Sequence, residues 1–174
     1  MPSVIAHIWR WMRGPLQWKV LHLVHATFMV GVSGLVRNDA GQVLLLRHRL
    51  WPPERQWGLP TGYARKSECF EDTVAREVHE ETGLDVVAGH LVHLKSGYKL
   101  RVEVAYAARF VGGVLKLNPM EIIAADWFNL ENLPDGLLPA HRSLIEANRD
   151  WYLHGSSTTP EAHDDPVTSR GAGR

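Results

Sequence analysis

The chain has 174 residues, with 19 Lys and Arg balancing 19 Asp and Glu, so the formal net charge is zero. That length suits one domain with one sizeable core and decorated ends, and the charge balance excludes an overall field that would draw the protein to nucleic acid or to an anionic membrane. The single cysteine, Cys69, excludes an internal disulfide, and no secretory signal opens the chain, so the expected location is cytoplasmic.

In chain order, Ile5, Ile8, Trp9 and Met12 fall at helical spacing, and Gly14-Pro15 then breaks the pattern. Residues 1–26 therefore read as an N-terminal helical arm, with a second short helix over Gln17 to His25. The arm packs on the domain or a partner subunit, or else forms a lid or a peripheral membrane contact. The uncharged stretch Val20 to Val36 barely reaches the lower end of the roughly 17 to 25 residues of a membrane span, and two histidines, Thr27 and Ser33 interrupt it. A short helix running into a buried strand accounts for it without a transmembrane segment.

Thr27 to Arg37 reads as a strand, Asn38 to Gly41 as a turn, and Gln42 to Arg49 as the returning strand of a hairpin. Trp51 to Pro60, rich in proline and tryptophan, reads as a loop. A helix is expected from about Cys69 to Thr82: Ser67 is a candidate N-cap, Phe70, Val74 and Val78 share one stripe, and Gly83 sits where the helix would stop. Val86 to Lys95 and Lys99 to Val111 read as strands turned at Ser96-Gly97, with a further turn at Gly112-Gly113. Asp126 to Phe128 reads as a short strand and Ala140 to Leu153 as a closing helix. Residues 155–174, almost without apolar side chains, read as a disordered tail.

Glu77, Glu80 and Glu81 stand at i, i+3 and i+4 and so project from one side of the expected helix. Their mutual repulsion would cost an isolated helix roughly a few tenths of a kcal/mol per pair, to be relieved by water or by divalent cations. Hard oxygen ligands on a rigid helix suit Mg²⁺ or Mn²⁺, which completes its shell with waters and phosphate oxygens. A solvated acidic face is the plain alternative, and the neighbouring residues decide against it. Gly62, Glu68, Arg76-Glu77-Val78, Glu80-Glu81, Gly83 and Leu84 fill every fixed position of Gly-x5-Glu-x7-Arg-Glu-aliphatic-x-Glu-Glu-x-Gly-aliphatic.

That pattern is the Nudix box, and the chain resembles Nudix hydrolases over roughly residues 27–133. The resemblance implies an α/β fold, an α/β/α sandwich with a mixed β-sheet, as the domain over 27–154. It implies metal-dependent hydrolysis of a diphosphate linkage in a nucleoside diphosphate derivative or other nucleotide, with Mg²⁺ or Mn²⁺ as cofactor. In such enzymes the residues matching Glu77 and Glu81 bind metal, Glu80 adds a ligand or helps activate water, and the carbonyl at Gly62 joins the shell. The arginine matching Arg76 holds a box glutamate in place, with Glu68 as a further partner. Glu121 resembles a distal glutamate that competes for the role of base; otherwise it is a surface residue.

Arg47, at the end of an apolar strand, occupies a place where relatives put a phosphate-contacting arginine; a solvated strand end is the alternative. Arg55 and Trp57 precede the box and would stack on a base or an apolar tail, with core packing the other role open to Trp57. Tyr98 falls where a subfamily acting on dinucleoside polyphosphates has tyrosine. Thr61 replaces the glycine that many relatives carry before Gly62, which puts the loop geometry in question. The partner is a small-molecule diphosphate, with a homodimer as the possible assembly and no nucleic acid. Two alternatives stand beside the enzyme reading: a catalytically silent nucleotide-binding regulator, and a hydrolase of an apolar, isoprenoid diphosphate.

Overall fold

In the computed structural model, residues 14–154 are described. The amphipathic stripe at Ile5 to Met12 and the tail over 155–174 lie outside them. The short helix expected next to the arm is present as α1 (Pro15–Val24), with Pro15 opening it where a missing N–H costs nothing. Among the described residues, no helix is long and apolar enough to cross a membrane. The uncharged stretch is instead shared between α1 and the first strand.

Seven strands form one mixed sheet: β1 (Met29–Arg37), β2 (Val43–His48), β3 (Trp57–Gly58), β4 (Thr61–Tyr63), β5 (Leu84–Tyr98), β6 (Arg101–Gly113) and β7 (Ile122–Phe128). Their order is β3-β2-β1-β6-β5, with β4 also on β1 and β7 on β2. The pair β1 and β6 is parallel, whereas β1–β2, β1–β4, β2–β7 and β5–β6 are antiparallel. The expected hairpin of β1 and β2 is joined at Arg37 opposite Val43, where Asn38 closes the turn by accepting the Gln42 N–H at 2.9 Å.

Strand periodicity sends alternate side chains to opposite cores. Val32 and Val36 of β1, Leu44 and Leu46 of β2, and Val104 and Tyr106 of β6 meet Val74 and Val78 of α2 (Phe70–Thr82) on one face. On the other, Leu35, Val43 and Leu45 meet Ile145 of α3 (Pro139–Ala147) and Tyr152 of α4 (Arg149–His154). Helices thus cover both faces of the sheet, making an α/β/α sandwich. Helix α2 on one face, and α3 with α4 on the other, present apolar side chains to the sheet, so removing either layer would expose a continuous apolar surface.

Four local expectations are corrected. The N-cap of α2 is Cys69, without a side-chain cap, while Ser67 takes a left-handed backbone at φ 64°. The β5–β6 turn lies at Lys99 and Leu100, both at positive φ, rather than at Ser96-Gly97. Gly112 and Gly113 remain in β6, paired with Asp85 and Leu84. The closing helix is broken in two at Asn148, whose side-chain amide donates to the Leu144 carbonyl at 2.8 Å. The proline-rich loop also holds a short 3-10 turn over Pro53–Arg55, besides β3.

Candidate active site

Gly83 stops α2 in a left-handed conformation at φ 72°, and its N–H bonds the His79 carbonyl. The helix beneath carries its apolar stripe to the sheet, so the neighbouring stripe of glutamates runs along the seam between helix and sheet. Glu81, in the last turn, is buried at 3% exposure among strand residues. Glu77, one turn earlier, is held over Gly62 of β4. A Cβ at Gly62 would lie 1.9 Å from the Glu77 carboxyl carbon, so only glycine permits this approach.

Arg76 ties the group together. Its guanidinium donates to Glu68 at 2.6 and 3.0 Å, to Glu77 at 2.7 Å, to Glu80 at 3.2 Å and to the Tyr63 carbonyl at 3.1 Å. Glu68, which also accepts from the Arg65 and Thr73 donors, is pushed down to about 2, first by Arg76. Glu80 is more exposed and also accepts from Arg65 at 3.0 Å.

A cleft of about 400 Å³ opens beside this seam, lined by Glu81, Glu121, Gly62, Tyr63, His48 and Arg101 with Thr61, Leu50 and Trp51. Burial pushes the Glu81 carboxyl up to about 9, with the fields of Glu77 and Glu121 adding to the effect. Its Oε2 is buried without a hydrogen-bond partner. His48 Nδ1 lies 3.8 Å from Glu81 Oε1, and burial holds that imidazole down to about 4, which leaves it neutral. A buried, orphaned carboxylate oxygen facing further acids is a donor set that suits a hard divalent cation. Among the described residues, no three such side chains already converge as a finished cage. Glu77 is turned to Arg76, and Glu80 to Arg65 and Arg76.

The structure thus brings Gly62, Glu81 and Glu121 to one cleft; Glu77, Arg76 and Glu80 do not line it, although Glu77 packs against Gly62 and Arg76 bonds the Tyr63 carbonyl beside it. Arg47, Arg55 and Trp57 do not line it. The exposed Arg47 donates from Nε to the Gln56 side chain at 3.0 Å; Arg55 ends the 3-10 turn. Trp57 packs edge-on against Phe128 at 5.2 Å, beside the second core. Tyr98 closes β5 in register with Arg101. Thr61 fits without strain, since it is a strand residue: its hydroxyl meets Ser33 at 3.0 Å and the Val32 carbonyl at 3.2 Å.

Sequence reasoning missed His48, Trp51 and Arg101. A signal existed for His48, because Leu44 and Leu46 face the box helix and His48 shares their parity, while Arg47 does not. Nothing local marked Arg101 or Trp51, which reach the cleft only through strand pairing and loop closure.

A family model described as the NUDIX domain matches residues 27–147. The NAD-capped RNA hydrolase NudC of Vibrio atlanticus (strain LGP32) is 36% identical over 106 residues, covering 58% of this chain and 37% of that protein. The ADP-ribose pyrophosphatase of Methanocaldococcus jannaschii is 28% identical over 127 residues, covering 70% of this chain and 73% of the other. The crystal structure of a MutT NUDIX hydrolase from Burkholderia pseudomallei superposes with a TM-score of 0.59 at 30% identity, over 68% of this chain and 96% of that one. The chain spans about a third of the length of the NudC relatives it matches.

Proposed function

The chain belongs to the Nudix family, and from that membership we propose that it is a metal-dependent pyrophosphohydrolase that cleaves the diphosphate linkage of a nucleoside diphosphate derivative by attack of water at phosphorus. The observation that carries this reading is the buried Glu81 carboxyl, orphaned at Oε2 and raised to about 9 beside Glu77 and Glu121. Such a group is costly in a core and is relieved by a cation.

Glu77, Glu81 and the Gly62 carbonyl are the residues that would hold Mg²⁺ or Mn²⁺, with Glu80 as a further ligand. Bound there, the ion neutralises diphosphate oxygens and makes water a better nucleophile. The chain's own groups do the rest. Arg76 positions Glu77 through a charge-assisted bond and fixes Glu68 on its other side. Glu121 lines the cleft and is the stronger candidate to accept a proton from the attacking water, because Glu80 lies outside the lining and its carboxylate is engaged by two arginines. The Thr61 N–H, bonded to Glu81, keeps that carboxyl at the cleft floor.

The test is incubation of the purified protein with nucleoside triphosphates, nucleotide sugars, ADP-ribose, dinucleoside polyphosphates and prenyl diphosphates, with and without Mg²⁺ or Mn²⁺, followed by chromatography of the products. Metal-dependent cleavage at a diphosphate linkage is expected. Glu81→Gln should fold and lose activity by about a thousandfold or more, since it removes a charge on which the chemistry depends. Equal turnover in that variant would overturn the assignment. Cleavage restricted to prenyl diphosphates would move the substrate class to apolar diphosphates.

A further inference from the structure

The acid cleft is not isolated. A second cavity of about 430 Å³ lies between the sheet and α3, with Val92, Leu138, His141 and Leu144 in its walls. The two share Trp51, Thr61 and Arg101. Arg101 opens β6 opposite Met29, and strand alternation directs its side chain to the sheet face away from α2, over Gly31. A Cβ at Gly31 would lie 3.1 Å from Arg101 Nη2, so the missing side chain leaves room for the guanidinium.

Within the reading of the chain as a diphosphate hydrolase, we propose that Arg101 is the substrate-binding residue that holds the diphosphate where the acid cleft meets the α3 groove. Among the described residues lining the cleft it is the one lysine or arginine, and Glu81 and Glu121 line the same cleft. An anionic diphosphate entering beside two carboxyl groups needs a fixed countercharge besides any metal, and a planar guanidinium supplies paired donors for phosphate oxygens. Its present contacts leave capacity for that. Nε is shielded from solvent and makes no hydrogen bond, and the one ion pair of the guanidinium among the described residues is with the half-exposed Glu103, Nε to Oε1 at 3.3 Å, which leaves the Nη donors for phosphate oxygens. Nη1 reaches the Tyr63 hydroxyl at a long 3.4 Å, and the Tyr63 ring centroid lies 5.6 Å from the guanidinium carbon. Tyr63 thus restrains the head of Arg101 without consuming it. The consequence is an orientation: the scissile linkage lies at the boundary, and one organic part of the substrate extends past Trp51 into the groove.

Calorimetry with methylenediphosphonate and Mg²⁺, which needs no turnover, tests this directly. Arg101→Gln should weaken binding about ten- to a hundredfold, as loss of a hydrogen-bonded charge does, with Arg101→Lys intermediate. Arg109→Gln, with the same charge loss at an exposed site farther along β6, should bind like the unaltered protein. On ADP-ribose, if it is cleaved, Arg101→Gln should raise KM by a similar factor while kcat changes less than about threefold, a split that a merely structural role would not produce. Should Arg101→Gln fail to fold, Arg101→Lys decides in its place. Diphosphonate binding in a folded Arg101 variant within about twofold of the unaltered protein overturns the proposal, as does absence of binding to the unaltered protein. Arg101-dependent binding without cleavage of any compound in the panel would overturn the hydrolase reading and leave this inference standing.

Discussion

Burial sets the stability contribution of the Glu81 carboxyl against the metal-binding role proposed for it. A carboxyl whose folded value rises from 4.5 to about 9 favours the native state fully below pH 4.5, and this contribution is lost as pH rises through the folded value. Without metal at neutral pH, Glu81→Gln should therefore be more stable than the unaltered protein, by on the order of 2–3 kcal/mol. Urea denaturation in the presence of a chelator checks this. A less stable variant would mean that the Thr61 bond outweighs burial. Added Mg²⁺ should narrow the gap, because binding would favour the charged carboxylate and release its proton. Glu68 has the opposite sign: its stabilising pair with Arg76 is present above pH 4.5 and fades as pH falls toward about 2. At this scale the box glutamates were legible because their spacing and flanking residues are local. His48 was missed because a lone histidine after four buried leucines and valines carries no pattern until parity is followed across the strand.

Helix α2 brings the glutamates to the sheet only if it ends where Leu84 can enter β5. Gly83 makes that possible: an added Cβ would be strained at φ 72° and would lie 2.6 Å from the Val114 carbonyl, a backbone atom that cannot rotate away. Gly83→Ala should cost about 2 kcal/mol or more, read as a lower urea midpoint, with activity per folded molecule reduced as the last turn shifts Glu81. Unchanged stability would show that the β5 entry adapts. The extent of α2 followed from its apolar stripe and its glycine stop. Its start did not, because Ser67 resembles a cap by residue type, whereas the bonds of Glu68 to the Arg65 N–H and the Thr73 hydroxyl set the entry. The β5–β6 turn was misplaced for a related reason. Ser96-Gly97 has turn chemistry, but strand pairing continues to Tyr98 opposite Arg101, and two non-glycine residues accept positive φ to close the hairpin.

Across the whole molecule, the cleft and the groove meet around a small aromatic group: His48 stacks on Trp51 at 3.9 Å, and His141 lies 5.8 Å from it on the other side. His141 accepts the Leu59 N–H at Nδ1, and burial holds it down to about 4 from 6.5. A histidine kept neutral in the folded state leaves stability intact above pH 6.5 and erodes it as pH falls from there toward 4, because the unfolded chain binds the proton first. His141 alone should remove about 2 kcal/mol between neutral pH and about pH 5. His48, lowered to about 4 by the same burial, adds a like contribution, so urea midpoints across that range should fall for both, and His141→Gln should roughly halve the decline; an unchanged slope would place the sensitivity elsewhere.

The sequence by itself determined the family box, the helix that carries it, the alternation that sends strands to two cores, and the absence of a net field. Those features depend on residue type at short, regular spacing, where geometry follows from the helix or strand period. The tertiary structure alone decided that Arg101, in a strand well after the box, lines one cleft with Glu81 and Glu121, and that Arg47 turns to Gln56 instead. The parallel pairing of β1 with β6, the bulge between Arg47 and His48, and the packing of α3 across the sheet set those positions. Each depends on contacts between distant segments, whose register is fixed by burial of both sheet faces together rather than by any local run of residues.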